Sequence, residues 1–437
     1  MILPMTILRR WRPALAGALL LASAGASAQL LPGGRVLPLP SAPSVPRVGE
    51  RLGDPTHGAI DPVTGRLDPL RASVSELAAA RVSRLEELVR SNRERLEMTD
   101  LGPAVRGEVI AIDPDPAALE AALAAGFTRL TEDQIEGLDI RSVKLGVPRG
   151  WSVDRALSRL RRLVPAGQFT ANNLHEQSGA AESAGDAALA QGGGGGGAAI
   201  GVIDGGVAAH PALGRTIEQR GFVNGAPRAS AHGTAVASLI AGQGSVRGAS
   251  PGVSLLVADV FGADPAGGNA LALTRALGWM VARRVRVVAV SLVGQANPLV
   301  ERAVAQARAR GTWVVAAVGN DGRAAPPAFP ASYPGVIAVT GVDGRGRVLI
   351  EAGRALHLDY AAPGADMGAA GLRGAVVPVR GTSFAVPLVA GRLAQHIRAT
   401  NVLASLDGEA AQRGARGVGR GVLCAACRTA PPGGARR

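Results

Sequence analysis

The sequence predicts an α/β protein with a doubly wound, mostly parallel sheet, preceded by a small α+β unit of ferredoxin-like arrangement. Three observations carry this. From Ala198 onward, short strands that are apolar on both faces alternate with helical stretches, the pattern of a parallel sheet covered on two sides. Between residues 104 and 172 the order reads strand, helix, strand, strand, helix, strand. Between these regions lies a tract ending in six consecutive glycines, which behaves as a flexible linker.

The chain opens with Arg9, Arg10 and Arg12, an apolar run, and then Ala26-Ser27-Ala28. A basic start, a short apolar stretch and small residues at a cleavage point describe a signal peptide over residues 1–28, so export to the periplasm or the exterior is expected. The run is too short for the ~20 residues that span a bilayer, and no stable membrane anchor is expected. Residues 29–103 read as a Pro/Gly-rich lead-in plus an amphipathic helix near 73–97, where Leu77, Leu85 and Leu88 recur at helical spacing.

The ferredoxin-like unit occupies 104–177. "EVIAI" (108–112) is its first strand, and Asp115 and Gly126 bracket the helix that follows. Two strands, "FTRL" and "IRSVKLGVP", precede a second helix with Ser152 at its N-cap, and "QFTA" closes the unit. Residues 178–197 form the linker. A phosphate-binding loop is the sharper reading of its glycines, but such a loop follows a strand and opens a helix, whereas this tract precedes a strand.

The main domain is 198–420. Its strands are "AAIGVID", "VSLLVADV", "VRVVAVSL", "TWVVAAVGN" and "GVIAVTGVD", with helices between them. In such a sheet, chemistry sits at the carboxyl ends of the strands. Residues 421–437 read as a tail. Its Cys424 and Cys427 lack the further ligands of a zinc site, and a local disulfide or a plain thiol pair remains.

Composition supports a packed domain, with 47% hydrophobic residues and 60 glycines among 437. The formal charge of +13 comes from Arg scattered among Ala and Gly, Lys144 being the sole lysine. With no dense basic block and only 3% aromatics to stack on bases, no nucleic-acid partner is expected.

Three polar residues stand where the fold concentrates chemistry. Asp204 closes a strand, His232 opens the helix "HGTAVASLIAG", and Ser383 opens the helix beginning in "GTSFAVPLVAG". A serine hydroxyl becomes a nucleophile only beside a base, and that base needs an orienting acid. "GVIDGGV", "HGTAVASLIAG" and "GTSFAVPLVAG", in that order, resemble the signature segments of the subtilisin-like serine proteases. The likeness runs from about residue 198 to 400. It implies a serine endopeptidase with Ser383 as nucleophile, His232 as base and Asp204 as its orienter. "AAVGNDG" is similar to the segment carrying an oxyanion-hole asparagine, here Asn320.

"VAVSLVG" is similar to the family's substrate-binding strand, whose edge pairs with an extended peptide. The resemblance implies Ser291, Leu292, Val293, Gly294, Ala317 and Gly319 as substrate-binding residues. Gly205 stands where the family usually has Ser or Thr, which bears on a hydrogen bond that helps fix the loop, and Val293 and Val386 depart at or beside substrate-contact positions, which bears on pocket shape. The expected partners are protein or peptide substrates, together with the chain's own N-terminal unit, which the family uses as a propeptide and intramolecular inhibitor. No cofactor is expected, and no acidic cluster reads as a calcium loop, although a structural calcium is left open. Two other classes stay in view. A degenerate protease fold could serve as a secreted binding module, and a dinucleotide-binding domain is disfavoured because "IDGGVAAH" lacks G-x-G-x-x-G.

Overall fold

The computed structural model describes residues 73–178, 187–190, 200–214 and 217–432. The expected signal peptide, the lead-in to residue 72 and most of the 178–197 tract lie outside the described residues. An 18-residue helix comes first, α1 (Val74–Ser91), started by a capping box in which Ser73 and Glu76 satisfy each other's backbone N–H groups. It stops before residue 97. The chain turns there and forms β1 (Leu96–Thr99), a hairpin strand against β2 (Gly102–Ile112), because Leu96 is buried against the sheet instead of continuing the helical stripe.

The small unit continues with α2 (Pro116–Ala124), β3 (Thr128–Gln134), β4 (Arg141–Gly146), α3 (Val153–Leu163) and β5 (Gln168–Asn173). Asp115 and Ser152 cap the helices as expected, each accepting a backbone N–H three residues on. All pairings are antiparallel and β2 lies between β4 and β5, so the four strands run β3-β4-β2-β5, the ferredoxin-like order. One face packs on α2 and α3. The other presents Ile110, Ile112, Ile135, Leu138 and Ile140 to the large domain.

The large sheet has seven strands, all parallel. They are β7 (Ile200–Asp204), β8 (Ile217–Gly221), β9 (Leu255–Asp259), β10 (Val287–Val290), β12 (Trp313–Ala317), β13 (Ile337–Val342) and β14 (Tyr360–Pro363), in the order β14-β13-β12-β10-β7-β9-β8. Strand order reverses around β7, which makes its carboxyl end a switch point. Helices α4 (Ala231–Ala241) and α7 (Ala385–His396) share one core with the sheet, and α5 (Ala270–Ala282) and α6 (Pro298–Ala309) share the core on the other side. The last two also carry the small unit.

Two boundaries move. Val422 and Leu423 are buried, and Val422 bridges to Ala361 and Ala411, so the expected tail at 421–437 begins inside the domain. Cys424 and Cys427 are joined by a disulfide in this docked segment. Within the expected linker, Leu189 bridges to Ala208, and the Ala190 carbonyl accepts a bond from Gln219 Nε2 at 2.8 Å, so residues 187–190 are seated on the large domain.

Candidate active site

Asp204 is the last residue of β7, so the sheet delivers its carboxylate at the switch point. His232 is the second residue of α4, set by the N-cap Ser230. Ser383 lies in a 3-10 turn, Thr382–Phe384, one turn ahead of where α7 starts. The turn intervenes because Gly381 enters at φ 143°, a conformation that favours glycine, and its N–H bonds to the Gly364 carbonyl at 2.8 Å. Pro387 is then the third residue of α7, where a missing N–H leaves no helical bond unmade.

These three elements bring the residues together. His232 Nδ1 lies 2.9 Å from both Asp204 carboxylate oxygens, and Nε2 lies 3.0 Å from Ser383 Oγ. An ionised carboxylate only accepts, so Nδ1 carries the proton and Nε2 is free to accept from the serine hydroxyl. Asp204 and Ser383 are 0% exposed and His232 2%, which removes most of the screening water would impose. Phe384 packs against the imidazole with ring centroids 5.1 Å apart.

Asp204 Oδ1 also accepts the Gly205 N–H at 2.7 Å. The departure at Gly205 has a local reason, since a Cβ there would lie 2.6 Å from Cβ of Ser230, whose hydroxyl caps α4. On the neighbouring strand Asp259 stands in register with Asp204 and accepts backbone N–H groups of Arg228, Phe261 and Gly262; burial holds its carboxyl above the usual range.

Asn320 Oδ1 accepts the Thr382 N–H at 2.9 Å, and its Nδ2 is buried with no hydrogen-bond partner among the described residues. A buried unpaired donor costs about 1–3 kcal/mol, so one beside Ser383 is a group waiting for an acceptor.

The expected substrate strand is present as β11 (Leu292–Gly294), broken from β10 at Ser291, and its edge is occupied by the chain itself. Residues His175–Gln177 form β6, antiparallel to β11 with Gln177 opposite Leu292 and His175 opposite Gly294. On its other side the His175 N–H bonds to the Gly268 carbonyl at 2.8 Å, and Leu174 bridges to Asn269. The segment is therefore a central strand between two edges. It ends at Ser178, whose N–H bonds to the Ser291 carbonyl and whose own carbonyl accepts the Ser383 N–H, both at 3.2 Å. Gln177 Nε2 reaches Asp204 Oδ1 at 2.9 Å.

The substrate-binding residues divide. The Ser291 carbonyl accepts the Ser178 N–H and Leu292 lies opposite Gln177, while Val293, Gly294 and Gly319 line a cavity beside it. Ala317 packs in the core at the end of β12. The sequence reading missed 174–178 altogether, since "LHEQS" has no apolar period and its pairing is made by backbone atoms. It also missed α1 as a contact: Arg81 and Arg84 pair with Asp321, next to Asn320, at 3.2 and 2.9 Å, and Arg84 pairs with Glu176. Burial opposes the Arg84 charge, but Glu176 and Asp321 raise its pKa. His175 is fully buried, both ring nitrogens lack partners among the described residues, and burial pushes it down to about 4.

Among the described residues no group of three or more His, Cys, Asp or Glu is gathered to hold a metal ion, and no helix is long and apolar enough to cross a membrane.

A parallel α/β sheet with a buried Asp-His-Ser relay at its switch point defines a class of serine hydrolases. The subtilase family profile matches residues 195–411. Subtilisin BL of Lederbergia lenta is 34% identical over 206 residues, 45% of this chain and 74% of the relative. Subtilisin DY of Bacillus licheniformis is 31% identical over 219 residues, 48% of this chain and 80% of the relative. A thermostable alkaline protease of Halalkalibacterium halodurans is 31% identical over 209 residues, and the match spans 57% of its length. The crystal structure of fervidolysin from Fervidobacterium pennivorans, a keratinolytic enzyme related to subtilisin, has a TM-score of 0.62 and 18% identity, covering 76% of this chain and 62% of that one, a likeness of fold. The chain belongs to the subtilase family of serine endopeptidases.

Proposed function

We propose that this chain is an exported serine endopeptidase made as a zymogen, with a prosegment that runs from residue 29 to a self-cleavage site somewhere in 172–197. The observation that carries the reading is the coincidence of a complete buried relay with an internal strand laid across it, its last carbonyl on the Ser383 N–H. Ser383 Oγ attacks the substrate carbonyl carbon while His232 Nε2 takes its proton, and Asp204 stabilises the resulting imidazolium. The oxygen that becomes negative accepts from the Ser383 N–H and from Asn320 Nδ2, each such donor being worth about 10²–10³ in rate. His232 then returns the proton to the leaving amine, and water repeats the sequence on the acyl-enzyme. Side chains and backbone amides supply all of this chemistry, with no cofactor in any step. Residues 1–28 serve export, to the periplasm or beyond.

The test follows the wild type and Ser383→Ala, expressed with the signal peptide, by size and by labelling with a serine-directed phosphonate. Labelling and shortening of the wild type alone is expected. A wild type that neither labels nor shortens, even after its N-terminal region is trimmed, overturns the reading in favour of a secreted binding module.

A further inference from the structure

We propose that this cleft cuts on the carboxyl side of small residues, that Val293 enforces the limit, and that the first bond cut is the one after the chain's own Ser178. The inference rests on the endopeptidase reading and adds the substrate class to it. Ser178 is singled out by its contacts. It is the residue whose carbonyl takes the Ser383 N–H, and both its N–H and its Oγ bond to the Ser291 carbonyl at 3.2 Å. Its carbonyl carbon is therefore the one presented to Ser383.

The Ser178 side chain has little room, since the residue is 3% exposed and its Oγ is turned onto the Ser291 carbonyl. One wall of the channel is β11 and the other is the segment after β12. Val293 faces Gly319 across it with room for about one methyl group, for a Cβ built on Gly319 would lie 3.5 Å from Val293 Cγ1 and 3.8 Å from Ala328 Cβ, ordinary van der Waals contact. What remains beside Val293, lined by Gly319, Ala325 and Ala328 and closed on its other side by Arg81, Glu176 and Asp321, is a cavity of about 30 Å³. That holds about two water molecules, whereas a cavity that takes a benzene ring is about 150 Å³. An aromatic side chain would have to displace Val293 or the backbone behind it. Ser, Ala and Gly fit as the channel stands.

The self-cleavage step follows from these contacts. Ser383 Oγ bonds to the Ser178 carbonyl carbon, and the C–N bond to Gly179 breaks. The hydroxyl proton passes through His232 to the Gly179 nitrogen. Water then hydrolyses the ester and leaves Ser178 with a free carboxylate.

The experiment uses the full chain. N-terminal sequencing of the shortened wild type is expected to begin at Gly179. Ser178→Ala is expected to process normally and Ser178→Phe at least 10-fold more slowly. On matched peptide anilides, wild type is expected to prefer Ala or Ser over Phe by at least 10-fold in kcat/KM, and Val293→Gly to narrow or reverse that ratio, with Val293→Ala between them. A wild type that prefers Phe, or a ratio unmoved by both variants in protein that still labels with phosphonate, overturns the proposal. Loss of labelling and of all hydrolysis in the wild type strikes the endopeptidase reading itself.

Discussion

Strands β7, β10 and β13 bury every residue, whereas β3, on the rim of the small sheet, exposes six of its seven. Both regions are sheets with helices against them, yet they are held differently. The large sheet is buried on both faces by aliphatic side chains, so each strand contributes transfer free energy twice. The small sheet has one apolar face on its own helices and another on α5 and α6, edged by polar contacts. Asp113 pairs with Arg302, Glu136 with Arg220, Asp133 with Arg275 and Arg95 with Asp264. Asn297, the N-cap of α6, bonds through Nδ2 to the Ala171 carbonyl at 2.9 Å, and Asn172 Oδ1 accepts the Leu271 N–H near the start of α5. The four ion pairs, partly exposed, contribute little each and are screened by salt, whereas the two asparagine bonds are buried. The large domain is held by apolar burial on both faces of its sheet, and the small unit is seated on it by one apolar face and a rim of polar contacts.

The largest expected effect separates chemistry from both regions. Asp204→Asn leaves the packing in place but presents the wrong imidazole tautomer, so kcat of the processed enzyme should fall about 10⁴-fold with an unchanged circular dichroism spectrum. A loss of helical signal would mean instead that Asp204 holds the fold.

Acid sets the two regions against each other next. His175 is held neutral in its seat with a pKa of about 4, against about 6.5 when free, so the seated form binds fewer protons below pH 6.5. Docking of the small unit is therefore strongest above pH 6.5, weakens as pH falls, and levels off near pH 4, with a full span of about 3 kcal/mol. Inhibition of the processed domain by added N-terminal unit, titrated from pH 7.5 to 4.5, should follow this curve, and His175→Leu should flatten it. A curve of the same steepness in the variant would assign the effect to the carboxylates.

Gly278 sharpens the contrast further. It sits mid-helix in α5, where a Cβ would collide with the Glu136 carbonyl of the small unit. Gly278→Ala should favour the helix by about 1 kcal/mol and so preserve or raise the Tm of the processed domain. The same substitution should weaken docking by about 1–3 kcal/mol. Equal losses in both measurements would show that the regions are one cooperative body. The smallest effect belongs to Arg84, half-exposed and paired to Asp321 and Glu176. Arg84→Ala should loosen docking by at most about 1 kcal/mol at low salt, and by less in 0.5 M salt when inhibition constants are compared.

Much of this was legible beforehand because it is local. Apolar runs such as "VRVVAV" specify buried strands wherever they lie, and Asp115 and Ser152 cap helices by reaching backbone only three residues away. The relay residues were legible through short motifs around them. The end of α1, the 3-10 turn at Ser383, the seated residues 187–190 and the buried end at Leu423 were not, because each is decided by what packs there from far along the chain.

The sequence by itself determined the α/β class, the caps and the three residues of the relay, since these depend on side-chain chemistry and short spacing. Only the tertiary structure decided that His175–Ser178 lies in the cleft, that Gln177 touches Asp204, and that Val293 lines the cavity beside Gly319. Those contacts join backbone and side chains more than 25 residues apart, and their register is fixed by how the two sheets are docked.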